Sequence, residues 1–427
     1  MERNKVVIHN YYKLIITSTL IGICSAILAY SLKYLTEFFE HHIFNSVNNY
    51  NPAIFVLLPT IGITSIYFLR KHLFKNRKNK GITEIYKTLD QRKDHLPLFK
   101  IPSHYINGFL TVIFGGSTGV EVSTVVATAT VGNFAYKKGF SAKMYKTELI
   151  CAGVTAGVAI LFSSPLAGWL FAIEVIARKI NKPLFIACSV SAITSWLFIL
   201  LFDNHTLFNH SIKGWNLEAS PFFIILSLLA ALLSIYFTFM VTRIKNLFSK
   251  ISNNFLRVNL GALAVGVLIY FFPGLYGESY HGLKTILQES LSIANISLLF
   301  LLSIMVLKPI AASLTLGAGG DGGVFAPSIV AGAFLGLLVA YIGKNYFGAD
   351  LIPLNFALVG AAATLSASLY APLTSIVLLC SLVPQGYTLF IPVLFGCFIS
   401  YYFSKKIFPY NAYTYDFYIG NRTFKNA

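Results

Sequence analysis

Charged residues are scarce in this chain of 427 residues, and their scarcity excludes most soluble folds. Only 11% of the residues are charged, whereas a soluble globular domain carries about 25%. Hydrophobic residues make up 56%, and apolar segments long enough to cross a bilayer follow one another almost from end to end. We therefore predict an all-α polytopic membrane protein.

Residues that hold metals or carry out catalysis are also few, and they follow no diagnostic spacing. The five cysteines form no CxxC pair, and the nine histidines show no ligand spacing. A Gly-rich phosphate loop, a catalytic triad and a zinc motif are all absent from the sequence. We predict no metal, no cofactor and no enzymatic activity.

A cleavable signal is not evident at the N-terminus, because a short apolar region with a small-residue cleavage site is missing there. The first long apolar segment, Leu14–Leu35, is therefore expected to remain as a membrane helix. Much of the net charge of +17 lies in loops, above all in the basic loop 70–80. Short basic loops beside apolar spans face the cytoplasm. We predict a cytoplasmic N-terminus and loop 70–80 in a cell-membrane protein, and no nucleic-acid partner.

The glycine-broken stretch Gly115–Glu121 interrupts what would otherwise be one continuous membrane helix. Apolar segments lie on both sides of it, Tyr105–Phe114 before and Val122–Ala135 after. In lipid such a break is tolerated only where protein or a water-filled cavity covers the freed backbone. The restarted helix offers unpaired N–H groups and the positive end of its dipole, which both favour an anion. This stretch predicts an intramembrane anion site.

Two pairs of residues indicate an internal duplication. Pro165 and Pro372 are 207 residues apart, and each is followed by leucine. Gly116 and Gly323 are separated by the same 207 residues. Two glycine-rich breaks in one register are stronger evidence than either break alone, since membrane helices use glycine freely.

The second break, Gly317–Pro327, therefore repeats the first. On the 207-residue register Thr118 falls opposite Phe325. Paired, interrupted helices in two halves are typical of a transporter-like site at the repeat interface, near the middle of the membrane. We predict a first half over residues 1–210 and a second, inverted half over residues 211–427.

These motifs resemble those of the CLC family of chloride channels and proton-coupled chloride antiporters. Gly116–Val120 is similar to the family's GxEGP, and Gly323–Pro327 is similar to GxFxP. Asn79–Glu84 sits where the family has GSGIPE, and Ser164–Gly168 with Glu174 downstream adds a further match. The resemblance covers nearly the whole chain.

The resemblance implies a homodimer in the lipid bilayer, with about eighteen helices per subunit in two inverted halves. Each subunit would have its own pathway for chloride or a similar inorganic anion, held by backbone amides at helix N-termini. A central site would use the amides of Val324 and Phe325 and the hydroxyl of Tyr410, just before a short final helix. An outer site would use three further amides, those of Ser117, Thr118 and Gly119.

Two departures from the family pattern bear on mechanism. The family's gating glutamate, a carboxylate that competes with the anion and carries protons, is Thr118 here. The inner proton-transfer glutamate of the antiporters falls at Val175, directly after Glu174. Because both carboxylates are replaced, we hypothesise a passive anion pathway that is not coupled to protons, with Thr118 at the gate position.

A third departure places Lys80 where the family has the serine of its central site. An ammonium about 4 Å from an anion adds roughly 4 kcal/mol of attraction at an effective dielectric of about 20. That attraction would slow the release of the anion, because conduction needs sites that are weak enough to leave. Alternatively, Lys80 ends the basic loop, reaches water and attracts anions to the entrance. Both interpretations stay open.

Two acids near the breaks are candidates for tuning the site. Asp321 would cap the second restarted helix, or would pair with Lys80 and offset its charge. Glu121 would lie in the first turn of the first restarted helix, where the dipole favours a carboxylate. Since it is three residues after Thr118, it could instead act as a displaced gate.

Other functions remain open on the sequence alone. A proton-coupled antiporter would use Glu121 or Lys80 as a substitute proton carrier. A polytopic membrane enzyme is disfavoured, because no cluster of catalytic side chains faces another across the breaks. A non-conducting relative would serve in assembly or signalling.

Overall fold

The computed structural model describes residues 2–415 except 76, 78, 92, 93, 204–207, 209, 210 and 290–296. These described residues form sixteen α-helices and no β-strand, which confirms the predicted all-α class. The helices are α1 Glu2–Tyr50, α2 Leu58–His72, α3 Ile82–Asp90, α4 Lys100–Ile113, α5 Glu121–Lys137, α6 Lys146–Leu161, α7 Pro165–Phe171, α8 Lys182–Phe202, α9 Ser220–Ser249, α10 Asn254–Phe271, α11 Tyr280–Glu289, α12 Leu298–Ala318, α13 Phe325–Phe347, α14 Pro353–Leu369, α15 Pro372–Ser381 and α16 Phe390–Ile407. The short final helix predicted after Tyr410 lies outside the described residues.

Among the described residues, eight helical segments are long and apolar enough to cross a membrane. They are Lys5–Tyr50, Pro52–His72, Lys182–Phe202, Leu217–Ser249, Asn254–Phe271, Leu298–Ala318, Phe325–Phe347 and Gly386–Ile407. Shorter apolar helices, including α14 and α15, accompany them. This pattern confirms a multi-pass membrane protein whose helices differ widely in length.

The predicted segments are helical in the structure, but the helices begin and end at other residues than predicted. Leu14–Leu35 lies inside α1, which is 49 residues long because polar residues continue the helix at both ends. The short helix predicted over residues 81–89 is α3. Polar side chains do not stop a helix by themselves, so hydropathy locates a span better than its ends.

The chain divides into two compact units, each made of several separate stretches. The first unit comprises Met1–Tyr34, Asn79–Ile106 and Glu121–Leu207, and the second comprises Leu35–Lys78, Asn107–Val120 and Phe208–Ala427. Because both units draw on distant parts of the chain, their bounds differ from the halves 1–210 and 211–427. The two inverted halves stay a prediction.

The core of the first unit is built around α5 and α6. Every residue of α6 from Glu148 to Leu161 is buried. A Cβ atom at Gly132 would overlap the backbone of Leu149, and one at Gly153 would overlap that of Thr128. Close approach through small residues drives helix association in lipid, where the hydrophobic effect between helices is absent.

The core of the second unit is built in the same way around α13 and α14. All side chains of α13 from Phe325 to Ala340 are buried. A Cβ atom at Gly360 would overlap the backbone of Gly332. Gly360 follows Gly153 of the first unit by 207 residues, so the glycine contact of α5 with α6 recurs, at the predicted spacing, between α13 and α14.

Candidate anion pathway

The first helix break comprises residues 114–120, between α4 and α5. The N–H of Gly116 donates to the carbonyl of Thr111 at 2.7 Å and closes the last turn of α4. Gly115 has a φ of +83°, a conformation that L side chains rarely adopt. A Cβ atom at Gly115 would also overlap the ring of Tyr276. Both the turn and its close neighbour therefore require glycine here.

The second break comprises residues 319–324, between α12 and α13, and it is built on the same plan. The N–H of Gly320 donates to the carbonyl of Thr315 at 2.9 Å and closes α12. Gly322 has a φ of +154°, and a Cβ atom there would overlap the hydroxyl of Thr118. The two predicted breaks thus lie side by side in the second unit.

Two threonine hydroxyls join the breaks by reciprocal hydrogen bonds. The N–H of Ser117 donates to Oγ1 of Thr315 at 3.1 Å. In return, the N–H of Asp321 donates to Oγ1 of Thr111 at 2.9 Å. Each residue lies 204 positions from its counterpart, so the two bonds are related by an internal pseudo-twofold relationship.

The register of the two breaks is therefore 204 residues, three fewer than predicted. An antiparallel backbone bridge joins Gly119 to Gly323, which gives the same register. Gly322 lies beside Thr118, and the prediction that Thr118 falls opposite Phe325 is wrong. The physical reason is a length difference, because the stretch from the start of α13 to α15 is three residues longer than that from α5 to α7.

Thr118, at the predicted gate position, is fully buried. Its hydroxyl Oγ1 has no hydrogen-bond partner among the described residues. A buried polar atom without a partner costs free energy unless a ligand or water satisfies it, and such exceptions require an explanation. The hydroxyl of Thr118 can donate one hydrogen bond to an anion.

The three amides predicted for the outer anion site are close to groups of the protein itself. The N–H of Ser117 is bound by Thr315, and that of Thr118 donates to the carbonyl of Gly116 at 2.8 Å. Gly119 takes part in the backbone bridge between the breaks. The assignment of these amides to an anion stays a prediction.

At the second break, a tyrosine hydroxyl contacts the backbone directly before α13. The N–H of Val324 donates to the hydroxyl oxygen of Tyr413 at 3.1 Å. Asn411 holds this tyrosine in a tight turn, because its Oδ1 accepts from the N–H of Tyr413 at 3.1 Å. The Asn side chain two residues before the tyrosine is the sequence signal for this turn.

Tyr410, the tyrosine assigned from the sequence, has other contacts. Its backbone carbonyl accepts from the hydroxyl of Tyr370 at 3.2 Å, and its ring packs near those of Phe408 and Tyr415. The hydroxyl at the amide of Val324 is that of Tyr413. A role for Tyr410 in the central site stays a prediction.

A buried lysine that the sequence analysis did not single out lies next to the first break. Lys308 of α12 has no exposed surface. Its ammonium donates to Oγ of Ser117 at 2.8 Å, to the carbonyl of Gly277 at 2.9 Å and to Oγ of Ser279 at 2.6 Å. An ionisable residue inside a membrane span is a functional candidate by default. A lysine within the apolar segment Leu298–Ala318 was the sequence signal that could have identified it.

The segment that contains Lys80 belongs to the first unit, where a buried carboxylate fixes its backbone. The N–H of Lys80 donates to Oε1 of Glu84 at 3.0 Å, and the side chain of Lys80 is exposed. Oε1 of Glu84 also accepts from the ammonium of Lys100 at 2.6 Å, and Oε2 lies 3.5 Å from Nε2 of His104. The proposed pair of Lys80 and Asp321 stays a prediction.

The electrostatics of Glu84 favour its ionised form. Burial alone would raise the pKa of Glu84, but the hydrogen bond and charge of His104 and the ammonium of Lys100 together outweigh burial. They hold the pKa below its ordinary value of 4.5. The turn before α3 is therefore anchored by a charged cluster, which the sequence analysis missed because its members are up to twenty residues apart.

The two candidate tuning acids are both buried. Glu121 is the first residue of α5, in agreement with a first-turn position, and is 3% exposed. Asp321 does not occupy the N-cap position of α13, because that helix begins at Phe325 with Val324 as its cap residue. Its backbone N–H instead joins the reciprocal bonds between the breaks.

The position of the inner proton-transfer glutamate, Val175, is buried in a π-helical turn, Ala172–Ala177, that follows α7. Its backbone carbonyl accepts from the hydroxyl of Tyr86 at 3.2 Å and from Nε of Arg178 at 3.4 Å. The guanidinium of Arg178 also stacks 3.9 Å from the centroid of the Tyr86 ring. This position thus combines an apolar side chain with a neighbouring cation.

Comparison with known proteins agrees with these features. The model of the Voltage gated chloride channel family matches residues 61–405. Chloride channel protein CLC-f of Arabidopsis thaliana is 28% identical over 270 residues, which cover 58% of this chain and only 34% of that protein. The H(+)/Cl(-) exchange transporter ClcA of Klebsiella pneumoniae is 25% identical over 365 residues, 81% of this chain and 74% of the relative.

The fold is also similar to that of solved structures. The X-ray crystal structure of a slow cyanobacterial Cl-/H+ antiporter superposes with a TM-score of 0.79 at 19% identity. The superposition covers 94% of this chain and 96% of the other. At this identity the likeness supports the architecture alone.

Proposed function

The chain belongs to the voltage-gated chloride channel family, whose model it matches over residues 61–405, and from this membership we propose that it conducts chloride or a similar inorganic anion passively across the bilayer. In this proposal, proton movement is not coupled to the anion. Relatives carry names of both kinds, a chloride channel and a proton/chloride exchange transporter. The choice between them therefore rests on the residues of this chain.

The observation that carries the proposal is the environment of Thr118. A buried hydroxyl with no partner among the described residues lies at the predicted gate position, in the first helix break and beside the second, which the bridge between Gly119 and Gly323 joins to it. A hydroxyl can donate to a passing anion, but it cannot compete as a fixed charge and cannot carry a proton as a carboxylate does. An anion would accept the hydrogen bond that the hydroxyl of Thr118 donates to no described residue.

The inner position supports the absence of coupling independently. Val175 cannot bind a proton, and the guanidinium of Arg178 beside it would repel one. A relay from the inner side to the gate would therefore lack its first acid. Proton transfer through this region would need a carboxylate from elsewhere in the chain.

The central site in this proposal uses the second break. The amides of Val324 and Phe325 precede and begin α13, and we assign the hydroxyl of this site to Tyr413 because it contacts Val324. Phe325 is 2% exposed and narrows the site. The side chain of Lys80 is exposed, which agrees better with a loop lysine that reaches water than with a ligand of the central site.

Proteoliposomes that record anion efflux and proton movement at the same time test the proposal. We expect chloride efflux down its gradient, without proton movement in either direction. Uphill proton movement driven by a chloride gradient would overturn the proposal. Absence of flux for chloride, bromide, nitrate and fluoride alike would instead favour a role in assembly or signalling.

A proton-coupled antiporter is the second candidate, and the burial of Glu121 directly after the gate segment favours it. In that case Glu121→Gln would abolish the pH dependence of the reversal potential, whereas wild-type protein would show it. Lys80→Met tests the other substitute carrier. A passive pathway predicts a reversal potential that follows the anion gradient in both variants.

We also infer the assembly and orientation that the family resemblance implies. Each subunit of a homodimer would contain a complete pathway, so the mass in detergent should be twice that of the chain. The N-terminus and the basic loop 70–80 would face the cytoplasm. Labelling of a cysteine introduced at exposed Lys75 in intact cells tests the orientation.

A further inference from the structure

The turn between the short 3₁₀ helix Pro273–Leu275 and α11 brings a carboxylate to the first break. Glu278 in this turn is 9% exposed, and its Oε1 accepts from the N–H of Val120 at 3.0 Å. Val120 directly precedes the first residue of α5 and lies two positions after Thr118. A buried carboxyl group therefore lies at the segment where the proposed function requires an anion to pass.

This turn is fastened to the break at several points. Ser117 donates its hydroxyl to the carbonyl of Leu275 at 2.7 Å, and Tyr276 donates its own to the carbonyl of Ile113 at 2.5 Å. The ammonium of Lys308 bridges Ser117 to the residues on both sides of Glu278. These contacts fasten the turn to the break, and the bond to the N–H of Val120 then holds the carboxylate of Glu278 itself at the gate segment.

The donor that Glu278 binds results from a departure from the family motif. Val120 occupies the position of the proline in GxEGP, and proline has no N–H. The same segment has lost its carboxylate, because Thr118 replaces the glutamate. One substitution removes an acid from the gate segment, and the other creates the amide that binds an acid from a different part of the chain.

We propose that Glu278 is a tethered gate, a carboxylate that holds the amide of Val120 and competes with the permeating anion at the first break. The inference rests on the proposed function and adds regulation to it. An ionised Glu278 occupies the segment and restricts flux, whereas protonation removes its charge and weakens the bond to Val120. Anion flux therefore rises as the pH falls, although no proton is carried across the membrane.

Charged and titratable groups face Glu278 from several elements. The ammonium of Lys308 in α12 favours the ionised carboxylate. Glu40 of α1, whose Oε1 accepts from the N–H of Glu278 at 3.1 Å, opposes ionisation. The phenol of Tyr276 lies in the same turn.

Two histidines form a second titratable group near this turn. The rings of His41 in α1 and His281 in α11 pack against each other with centroids 5.3 Å apart. Burial, His41 and Lys284 lower the pKa of His281. Because the two rings pack close to the turn that holds Glu278, the pH experiment includes a variant of this pair as a control.

The test measures chloride efflux from proteoliposomes with equal pH on both sides, between about pH 4.5 and about pH 8. Wild-type flux should rise about tenfold towards acid pH, since one charge-assisted hydrogen bond is lost. Glu278→Gln keeps the shape of the side chain and should give high flux at every pH. Val120→Pro removes the N–H that Glu278 binds. This variant changes the other partner of the same hydrogen bond, and its flux should also be independent of pH.

Matched controls separate this gate from other acid and base groups. Glu218→Gln changes an exposed carboxylate, and His281→Gln removes one of the paired histidines; both should keep the wild-type profile. A flat profile in His281→Gln would assign the pH response to the histidines and overturn the inference. Thermal unfolding in detergent checks that each variant is folded, and Val120→Pro decides the question if Glu278→Gln does not fold.

The outcomes also distinguish this inference from the proposed function. A folded Glu278→Gln protein with the wild-type pH profile overturns the tethered gate. Wild-type flux that is the same at every pH overturns the gate and leaves passive permeation standing. Wild-type protein without flux at any pH overturns the proposed function, and the gate with it.

Discussion

The hydroxyl oxygen of Tyr413 lies 3.1 Å from the backbone nitrogen of Val324 and accepts its hydrogen. Val324 directly precedes α13, so this hydroxyl meets the amides that begin a buried helix. An anion at this place would replace the hydroxyl oxygen of Tyr413 as the acceptor for the N–H of Val324. The freed hydroxyl of Tyr413 would then donate a hydrogen bond to the anion. In the proposed function, the hydroxyl of Tyr413 would accept from Val324 in the absence of the anion and would donate to the anion in its presence.

Tyr413→Phe tests this relationship. We expect the affinity for chloride to fall about tenfold or more, the ratio that one hydrogen bond to a charged group is worth, while the fold is kept. Calorimetric titration of the detergent-solubilised protein measures the affinity. Tyr402→Phe, on an exposed position of α16, is the matched control. A larger loss in Tyr410→Phe than in Tyr413→Phe would return the role to Tyr410.

The orphaned hydroxyl of Thr118 gives a prediction in which stability and binding change in opposite directions. Thr118→Val removes a buried polar atom that has no partner in the described part of the chain, so the midpoint of thermal unfolding without chloride should stay the same or rise. The stabilisation that chloride adds should shrink, because at a given concentration a ligand that binds more weakly stabilises the folded protein less.

Thr364→Val is the matched control for Thr118→Val. Thr364 is also fully buried, and its hydroxyl likewise has no partner among the described residues, but it lies within α14 and belongs to neither break. Its variant should gain stability and keep the full effect of chloride. If chloride stabilises both variants equally less than wild type, Thr118 is not part of the anion site.

The sequence predicts the breaks well, because they depend on local chemistry. Glycines with positive φ, such as Gly115 and Gly322, are needed wherever the backbone turns sharply inside a membrane helix. The distance between the breaks is predicted less well. Pro165 and Pro372 suggest a spacing of 207 residues throughout. The stretch from the second break to Pro372 is, however, three residues longer than that from the first break to Pro165. A repeat in the sequence does not reveal where such an insertion lies.

Contacts between distant residues could not be predicted at all. Lys308 and Glu278 meet the first break only because α12 and the turn before α11 are folded against it. The contact of Tyr413 with the second break was likewise not predicted, since Tyr410 and Tyr413 lie in one short aromatic segment, and the role of Tyr410 stays a prediction. The side chain of Asn411, which turns the chain so that Tyr413 reaches Val324, decides between them.

The buried cluster around Glu84 should make stability depend on pH. The pKa of Glu84 is lower in the folded protein than its ordinary value of 4.5. A depressed carboxyl pKa stabilises the fold above the unfolded pKa, and this stabilisation is lost as the pH falls through the folded pKa. The midpoint of thermal unfolding should therefore decline below about pH 4.5.

Glu84→Gln isolates this contribution. Near neutral pH the variant should unfold at a lower temperature than wild type, because Lys100 loses the charge of its buried partner at a cost of about 3 kcal/mol or more. The difference should narrow at acid pH, where wild-type Glu84 is protonated too. Glu218→Gln at an exposed position should match wild type throughout. A constant difference at every pH would show that the loss is one of packing alone.

The ammonium of Lys308 connects the first break, at Ser117, to the turn that contains Gly277 and Ser279. Its removal should therefore affect both stability and flux. Lys308→Met keeps a long apolar stem but leaves the carbonyl of Gly277 and the hydroxyls of Ser117 and Ser279 without their common donor. Each buried group that loses its partner costs about 1–3 kcal/mol. The midpoint of thermal unfolding should fall clearly below that of Lys250→Met, which changes an exposed lysine.

Flux separates the electrostatic role of Lys308 from its structural one. Lys308→Met removes the positive charge that favours the ionised form of Glu278, so the acid-activated rise in flux should shift to higher pH. Glu278→Gln combined with Lys308→Met should show no further change in the pH profile, because the group that responds is already neutral. If the double variant regains a pH response, a different acid is the gate, and Lys308 only supports the turn that holds Glu278.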